Sequence, residues 1–107
     1  MGQNVQIYQD ENGKLPFIEW LESIKDLIIK ARIKNRIARI ELGNFGDCKP
    51  IKAGIYELRL HFGSGYRVYF GKINNSIVLL LCGGDKSSQI KNIKQAIQYW
   101  KNFKKSL

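Results

Sequence analysis

Five side chains in one short stretch carry most of the chemistry that this sequence offers. They are Glu57, Arg59, His61, Arg67 and Tyr69, all within Tyr56–Phe70, Tyr-Glu-Leu-Arg-Leu-His-Phe-Gly-Ser-Gly-Tyr-Arg-Val-Tyr-Phe. Guanidiniums fork onto phosphate oxygens, an imidazole titrates near neutrality, and a phenol or carboxylate can orient either. Such a set suits phosphate-ester binding or metal-free phosphodiester cleavage. A strand turns successive side chains to opposite faces, so Tyr56, Leu58, Leu60 and Phe62 line one side while Glu57, Arg59 and His61 line the other. Tyr66, Val68 and Phe70 repeat the apolar set, and Arg67 and Tyr69 the polar one. A loop made of Gly63, Ser64 and Gly65 pairs Phe62 with Tyr66, Leu60 with Val68 and Leu58 with Phe70. That register puts His61 opposite Arg67 and Arg59 opposite Tyr69. The plainer alternative is an exposed sheet face, which antiparallel sheets tolerate with charged side chains.

Further basic groups flank this hairpin. Gly83-Gly84-Asp85-Lys86-Ser87-Ser88 is a glycine-rich turn ahead of a helix, where backbone N–H groups and Lys86 could meet an anion. Its Gly-Asp-Lys-Ser run is not a Walker nucleotide loop, because the glycine six positions before the lysine-serine pair is missing and Asp85 interrupts the Gly-Lys step. Lys49 and Lys52 lie in a glycine- and proline-bearing segment, Asn44–Gly54, that reads as a loop. The segment Leu27–Leu42 carries Lys30, Arg32, Lys34, Arg36 and Arg39. It is either the solvated face of an amphipathic helix or a phosphate-tracking surface, with Arg32 and Arg36 as candidate RNA contacts beside Lys49, Lys52, Arg59 and Tyr69.

The elements that must hold these groups follow in order. Asn4–Gln9 alternates polar and apolar and reads as a strand. Pro16 stands where the first turn of a helix welcomes proline, and Phe17, Trp20, Leu21 and Ile24 form an apolar stripe. After a break near Lys25-Asp26, Ile29, Ile33, Ile37 and Ile40 line a second helix that Gly43 can end. Two helices joined this tightly predict an antiparallel hairpin. Ile77–Cys82 is apolar on both faces and reads as an inner strand covered on both sides. A last helix carries Ile90, Ile93, Ile97, Trp100 and Phe103, and Asp85, Ser87 or Ser88 can cap it. The class is α+β: an N-terminal strand, a helical hairpin, an antiparallel three-strand meander and a C-terminal helix, in a single domain over residues 1–107.

Composition narrows the partners. A hydrophobic fraction of 44% with 11% aromatic residues excludes a disordered tail, and 107 residues suffice for one real core. Eighteen Lys and Arg against nine Asp and Glu leave +9, a balance that fits a polyanion or an acidic partner protein. Two cysteines and one histidine are too few for a disulfide scaffold or a zinc cage, so neither metal nor cofactor is expected. No apolar run approaches the roughly 20 residues that span a bilayer, and no secretory leader is recognised, so the expected place is the cytoplasm. Trp20, Trp100, Phe17 and Phe103 fall on apolar helical stripes and are expected in the core.

Three stretches together resemble a known family: Tyr56-Glu57-Leu58-Arg59, Gly65-Tyr66-Arg67-Val68-Tyr69-Phe70 and Leu81-Cys82-Gly83-Gly84-Asp85-Lys86-Ser87. They look like the addiction-module killer proteins, the HigB-like branch of the RelE/ParE toxin superfamily. The resemblance implies a toxin encoded beside a HigA-like helix-turn-helix antitoxin. It also implies entry into the ribosomal A site and cleavage of mRNA by attack of a 2′-hydroxyl on the adjacent phosphate. By the same resemblance Arg67 stabilises the phosphorane-like transition state and Arg59 contacts phosphate. Lys86 lies near another basic position of the family. Glu57 stands where RelE-type toxins carry a lysine, and the tyrosine that RelE uses soon after the last strand has no match. Glu57 or His61 is then the general base and Lys86 the acid. Members of the same superfamily that poison DNA gyrase without cutting anything, or that only bind antitoxin or RNA, share the expected fold.

Overall fold

The computed structural model describes residues 2–107. The N-terminal strand β1 (Asn4–Ile7) leads into α1 (Pro16–Ser23), which opens on Pro16 as its sequence requires, and then α2 (Leu27–Glu41). Asp26 breaks the two helices and starts the second: its carboxylate accepts from the Ile28 and Ile29 N–H groups at 2.9 and 3.3 Å. Gly43, at φ 90°, takes the left-handed turn that ends α2. Then come β2 (Cys48–Pro50), β3 (Ile55–Leu60), β4 (Tyr66–Ile73) and β5 (Ile77–Gly84). A 3-10 turn (Lys86–Ser88) leads into α3 (Gln89–Lys105).

The five strands form one sheet in the order β1-β5-β4-β3-β2. The three-strand meander is present as β3-β4-β5, and β1 joins it parallel to β5 with Asn4 beside Ile77. One face packs Leu58, Leu60, Val68, Phe70, Val78 and Leu80 against Phe17, Leu21 and Ile24 of the first helical segment and Ile33 and Ile40 of α2. The other face packs Ile55, Tyr69, Leu79, Leu81 and Cys82 against Ala96 and Trp100 of α3. The inner strand β5 is therefore apolar on both sides for the expected reason. Burial pushes the Cys82 thiol up to about 12, which leaves it inert.

Two expectations change. Cys48–Pro50 lies within what the sequence reads as loop, yet it is an edge strand that pairs Cys48 with Leu58 and Lys49 with Glu57. Three residues are too few to display alternation, and Pro50 is tolerated because it lies on the outer edge. The hairpin register also shifts by two residues: Leu60 pairs with Tyr66, Arg59 with Arg67 and Glu57 with Tyr69. His61 is not opposite Arg67, nor Arg59 opposite Tyr69. The loop runs over five residues because Phe62 leaves the ladder to pack its ring 5.9 Å from that of Tyr66, while Gly63 and Gly65 take φ of 58° and 79°. A shift of two preserves parity, so each residue that stays in the ladder keeps its predicted face, while His61 and Phe62 leave it for the loop.

Candidate active site

On the α3 side of the sheet, the register sets out two polar rows. Lys49, Glu57, Tyr69 and Cys82 follow one another across β2, β3, β4 and β5. One step along, Arg59 lies beside Arg67, and Arg67 beside Gly84. The Asp47 carbonyl extends this second row past the end of β2 by accepting from the Arg59 N–H at 2.9 Å. Gly84 must be glycine, since any Cβ there would run into the Asn92 side chain of α3. That close approach brings the start of α3 down onto the rows.

Glu57 is the centre. Its carboxylate has no exposure to solvent. Oε1 accepts from Arg59 Nε at 3.1 Å and Arg67 Nη1 at 3.3 Å. Oε2 accepts from the Tyr69 hydroxyl at 3.1 Å and Gln89 Nε2 at 2.8 Å. Burial alone would raise its pKa, but the hydrogen bonds from Gln89, Arg59 and Tyr69, with the charge of Arg67, outweigh it and hold the group below the usual carboxylate range. Glu57 is therefore an ionised strut between two guanidiniums. With both oxygens engaged, it is poorly placed to accept a proton.

The two arginines meet at this strut with different access. Arg59 keeps 30% of its side chain exposed and Arg67 14%. Arg67 Nε is buried and has no hydrogen-bond partner among the described residues. A buried donor left unpaired costs roughly 1–3 kcal/mol. Two guanidiniums fixed by one buried carboxylate make a forked receptor for a phosphate.

The remaining sequence candidates separate. Tyr69 is wholly buried and donates to Glu57, so it is no surface contact for RNA; burial and the Glu57 charge push its phenol pKa up. Helix α3 is what covers it, and strand alternation cannot reveal a covering helix. Arg36 is also spent: its Nη1 donates to the Arg59 carbonyl at 2.8 Å and its Nη2 to the Phe45 carbonyl at 3.1 Å. It clamps α2 to the end of β3 rather than offering a free guanidinium to RNA. Arg32 stays exposed and lies 5.2 Å from the centre of the Phe62 ring, beside the hairpin loop. Lys49 and Lys52 are exposed, Lys49 on the same row as Glu57.

Lys86 is exposed on the 3-10 turn and reaches the same end of the sheet: a Cβ on Gly65 would lie 3.5 Å from its own Cβ. The turn is fixed by Asp85, which accepts from the Ser87 N–H at 2.9 Å and its hydroxyl at 2.6 Å, and that hydroxyl bond is the largest cause holding Asp85 below its ordinary pKa. His61 stands in the hairpin loop, 73% exposed, with Nε2 against Oδ2 of Asp47. Among the described residues, no three His, Cys, Asp or Glu side chains converge as a metal site.

Sequence reasoning missed Asp47 and Gln89. Asp47 was hidden because β2 was. Gln89 was within reach of periodicity, since it shares a face of α3 with the buried Asn92, Ala96 and Trp100.

No family model matches the sequence. An "uncharacterized protein" of Haemophilus influenzae is 55% identical over 82 residues, covering 77% of this chain and 83% of that one. The two belong to one family. Among solved structures, the Escherichia coli toxin RelE, as a double-arginine mutant in the free state, superposes with a TM-score of 0.64 at 15% identity. The match covers 92% of this chain and 97% of RelE. This chain thus has the RelE fold. No helix among the described residues is long and apolar enough to cross a membrane.

Proposed function

We propose that this chain is the toxin of a type II toxin–antitoxin pair of the HigB-like branch, a ribosome-dependent mRNA endonuclease acting in the cytoplasm. The observation that carries the reading is the Arg59–Glu57–Arg67 cluster, in which a buried carboxylate fixes two guanidiniums and one of them keeps a buried N–H free. Two guanidiniums held together for a phosphate favour the nuclease over a gyrase poison. The charge of +9 suits an RNA partner, and the RelE fold is compatible with the reading.

In this reading Arg59 and Arg67 grip the scissile phosphate and stabilise the extra charge of the phosphorane-like transition state. The 2′-hydroxyl gives its proton to a base as its oxygen bonds to phosphorus, the bond from phosphorus to the 5′-oxygen breaks, and Lys86 gives a proton to that leaving oxygen. The products are a 2′,3′-cyclic phosphate and a 5′-hydroxyl. Exposed Lys49, Lys52 and Arg32 attract the RNA backbone. A HigA-like antitoxin with an acidic or amphipathic segment covers this surface and blocks the ribosome. Induction in cells lacking the antitoxin, with mRNA 5′ ends mapped by primer extension, tests it. New ends within translated codons are expected. Growth arrest with intact mRNA, together with inhibited DNA supercoiling, would replace the reading with gyrase poisoning.

A further inference from the structure

Resting on the endonuclease reading, we infer that His61 is the group that takes the 2′-hydroxyl proton, with Asp47 as its positioning residue. The acceptors on the two polar rows, Glu57 and Tyr69, are spent. Glu57 has four donors on its two oxygens, and the Tyr69 phenol is buried against it. His61 is open to a substrate, with 73% of its side chain exposed beside the 45% of Asp47. It is tied to the strand that carries Arg59. His61 follows Arg59 by two residues, and the Asp47 main chain takes the Arg59 N–H.

The contact also fixes which nitrogen acts. His61 Nε2 is the atom that meets Asp47 Oδ2. The Asp47 carboxyl is held below its usual range, chiefly by this hydrogen bond from His61 and further by the charges of His61, Arg59 and Arg36. Near neutral pH it is therefore an ionised acceptor, so Nε2 must carry the hydrogen. When the ring is neutral, Nδ1 is left with its lone pair free. A carboxylate that sets the tautomer of a neighbouring imidazole is a known device of acid–base catalysis. The step balances: Nδ1 gains the 2′-hydroxyl proton as the new O–P bond forms, and the leaving 5′-oxygen gains one from Lys86. The charged groups facing the pair are Arg59 from β3 and Arg36 from α2.

The test is single-turnover cleavage of mRNA on purified programmed ribosomes, followed across pH, with His61→Gln, His61→Ala, Asp47→Ala and Arg67→Ala. Both His61 variants are expected to melt with the wild type and to lose about 100-fold or more in rate, as removal of a general base does. Added imidazole should restore part of the rate to His61→Ala, and the acid limb of the pH–rate profile should vanish in His61→Gln. Asp47→Ala should displace that limb, which a merely structural role would leave in place. If Arg67→Ala is dead while His61→Ala cuts at the wild-type rate, the inference falls and the endonuclease reading stands. If the wild type leaves RNA uncut, both fall. A lower rate in Asp47→Ala with an unmoved limb removes Asp47 from the proposal.

Discussion

Glu57 and Arg67 stand on neighbouring strands with Oε1 and Nη1 3.3 Å apart, and the same oxygen takes Arg59 Nε at 3.1 Å. Because β3 and β4 pair Arg59 directly with Arg67, two like charges share one rung of the ladder. Such a pair repels unless an anion divides it. Glu57 supplies that anion from one step down the strand, and a bound phosphate would supply another from outside.

Removing the less exposed arm of this fork should destroy activity while the protein stays folded, with lowered stability. Arg67→Ala is expected to lose about 100- to 1000-fold in cleavage rate, the usual cost of one charge-stabilising donor. Arg67→Lys should recover little of it, since an ammonium lacks the fork. Cleavage assays beside circular dichroism check both.

Glu57→Gln should weaken the fold in a pH-dependent way. A fully buried ion pair that loses one partner costs roughly 3–5 kcal/mol, and partial exposure of both arginines should reduce this to about 2. The folded pKa of Glu57 lies below its ordinary 4.5, so its contribution is present above that value and lost as pH falls through the lowered one. Urea melts at pH 7 should separate wild type from variant. The gap should close as the solution is acidified below the ordinary carboxylate range.

Tyr69→Phe removes a buried donor to a charged acceptor, a bond worth about 1.5–3 kcal/mol. Stability should fall by that order, while the cleavage rate falls far less than in Arg67→Ala. A rate loss equal to that of Arg67→Ala would give the phenol a direct part in the chemistry.

Arg36→Ala and Arg32→Ala should diverge although both residues belong to one basic helix. Loss of Arg36 frees two backbone carbonyls and should lower the melting temperature by several degrees, as a change of about 1–2 kcal/mol does in a domain of this size. Loss of Arg32 should leave melting unchanged and weaken RNA binding mainly at low salt. Thermal melts and a salt series of binding measurements distinguish the two.

Much of this was legible in the residues, and the limits have physical causes. Alternation placed Glu57, Arg59, Arg67 and Tyr69 on one face, and that survived a two-residue slip because parity is all that alternation encodes. The same logic could not reveal that α3 covers Tyr69, since a strand names its faces and never their neighbours. Asp26 and Pro16 marked the helix starts through local chemistry, which needs no tertiary context. Ile90 fits the apolar stripe of α3 by spacing, yet it is 75% exposed because it lies at the first turn, where Gln89 and Asn92 face the sheet instead. The parallel pairing of β1 with β5, and the meeting of His61 with Asp47, join segments whose contact no local pattern records.

The pairing of Asn4 with Ile77 also orders events during synthesis. A nascent chain emerges from its N-terminus, and contacts that bridge distant positions wait for the later one. The first strand has no partner until the fifth is made, and the buried carboxylate lacks its last donor until Gln89 follows. Every residue up to Gln89 must therefore leave the ribosome before the arginine pair is set in place.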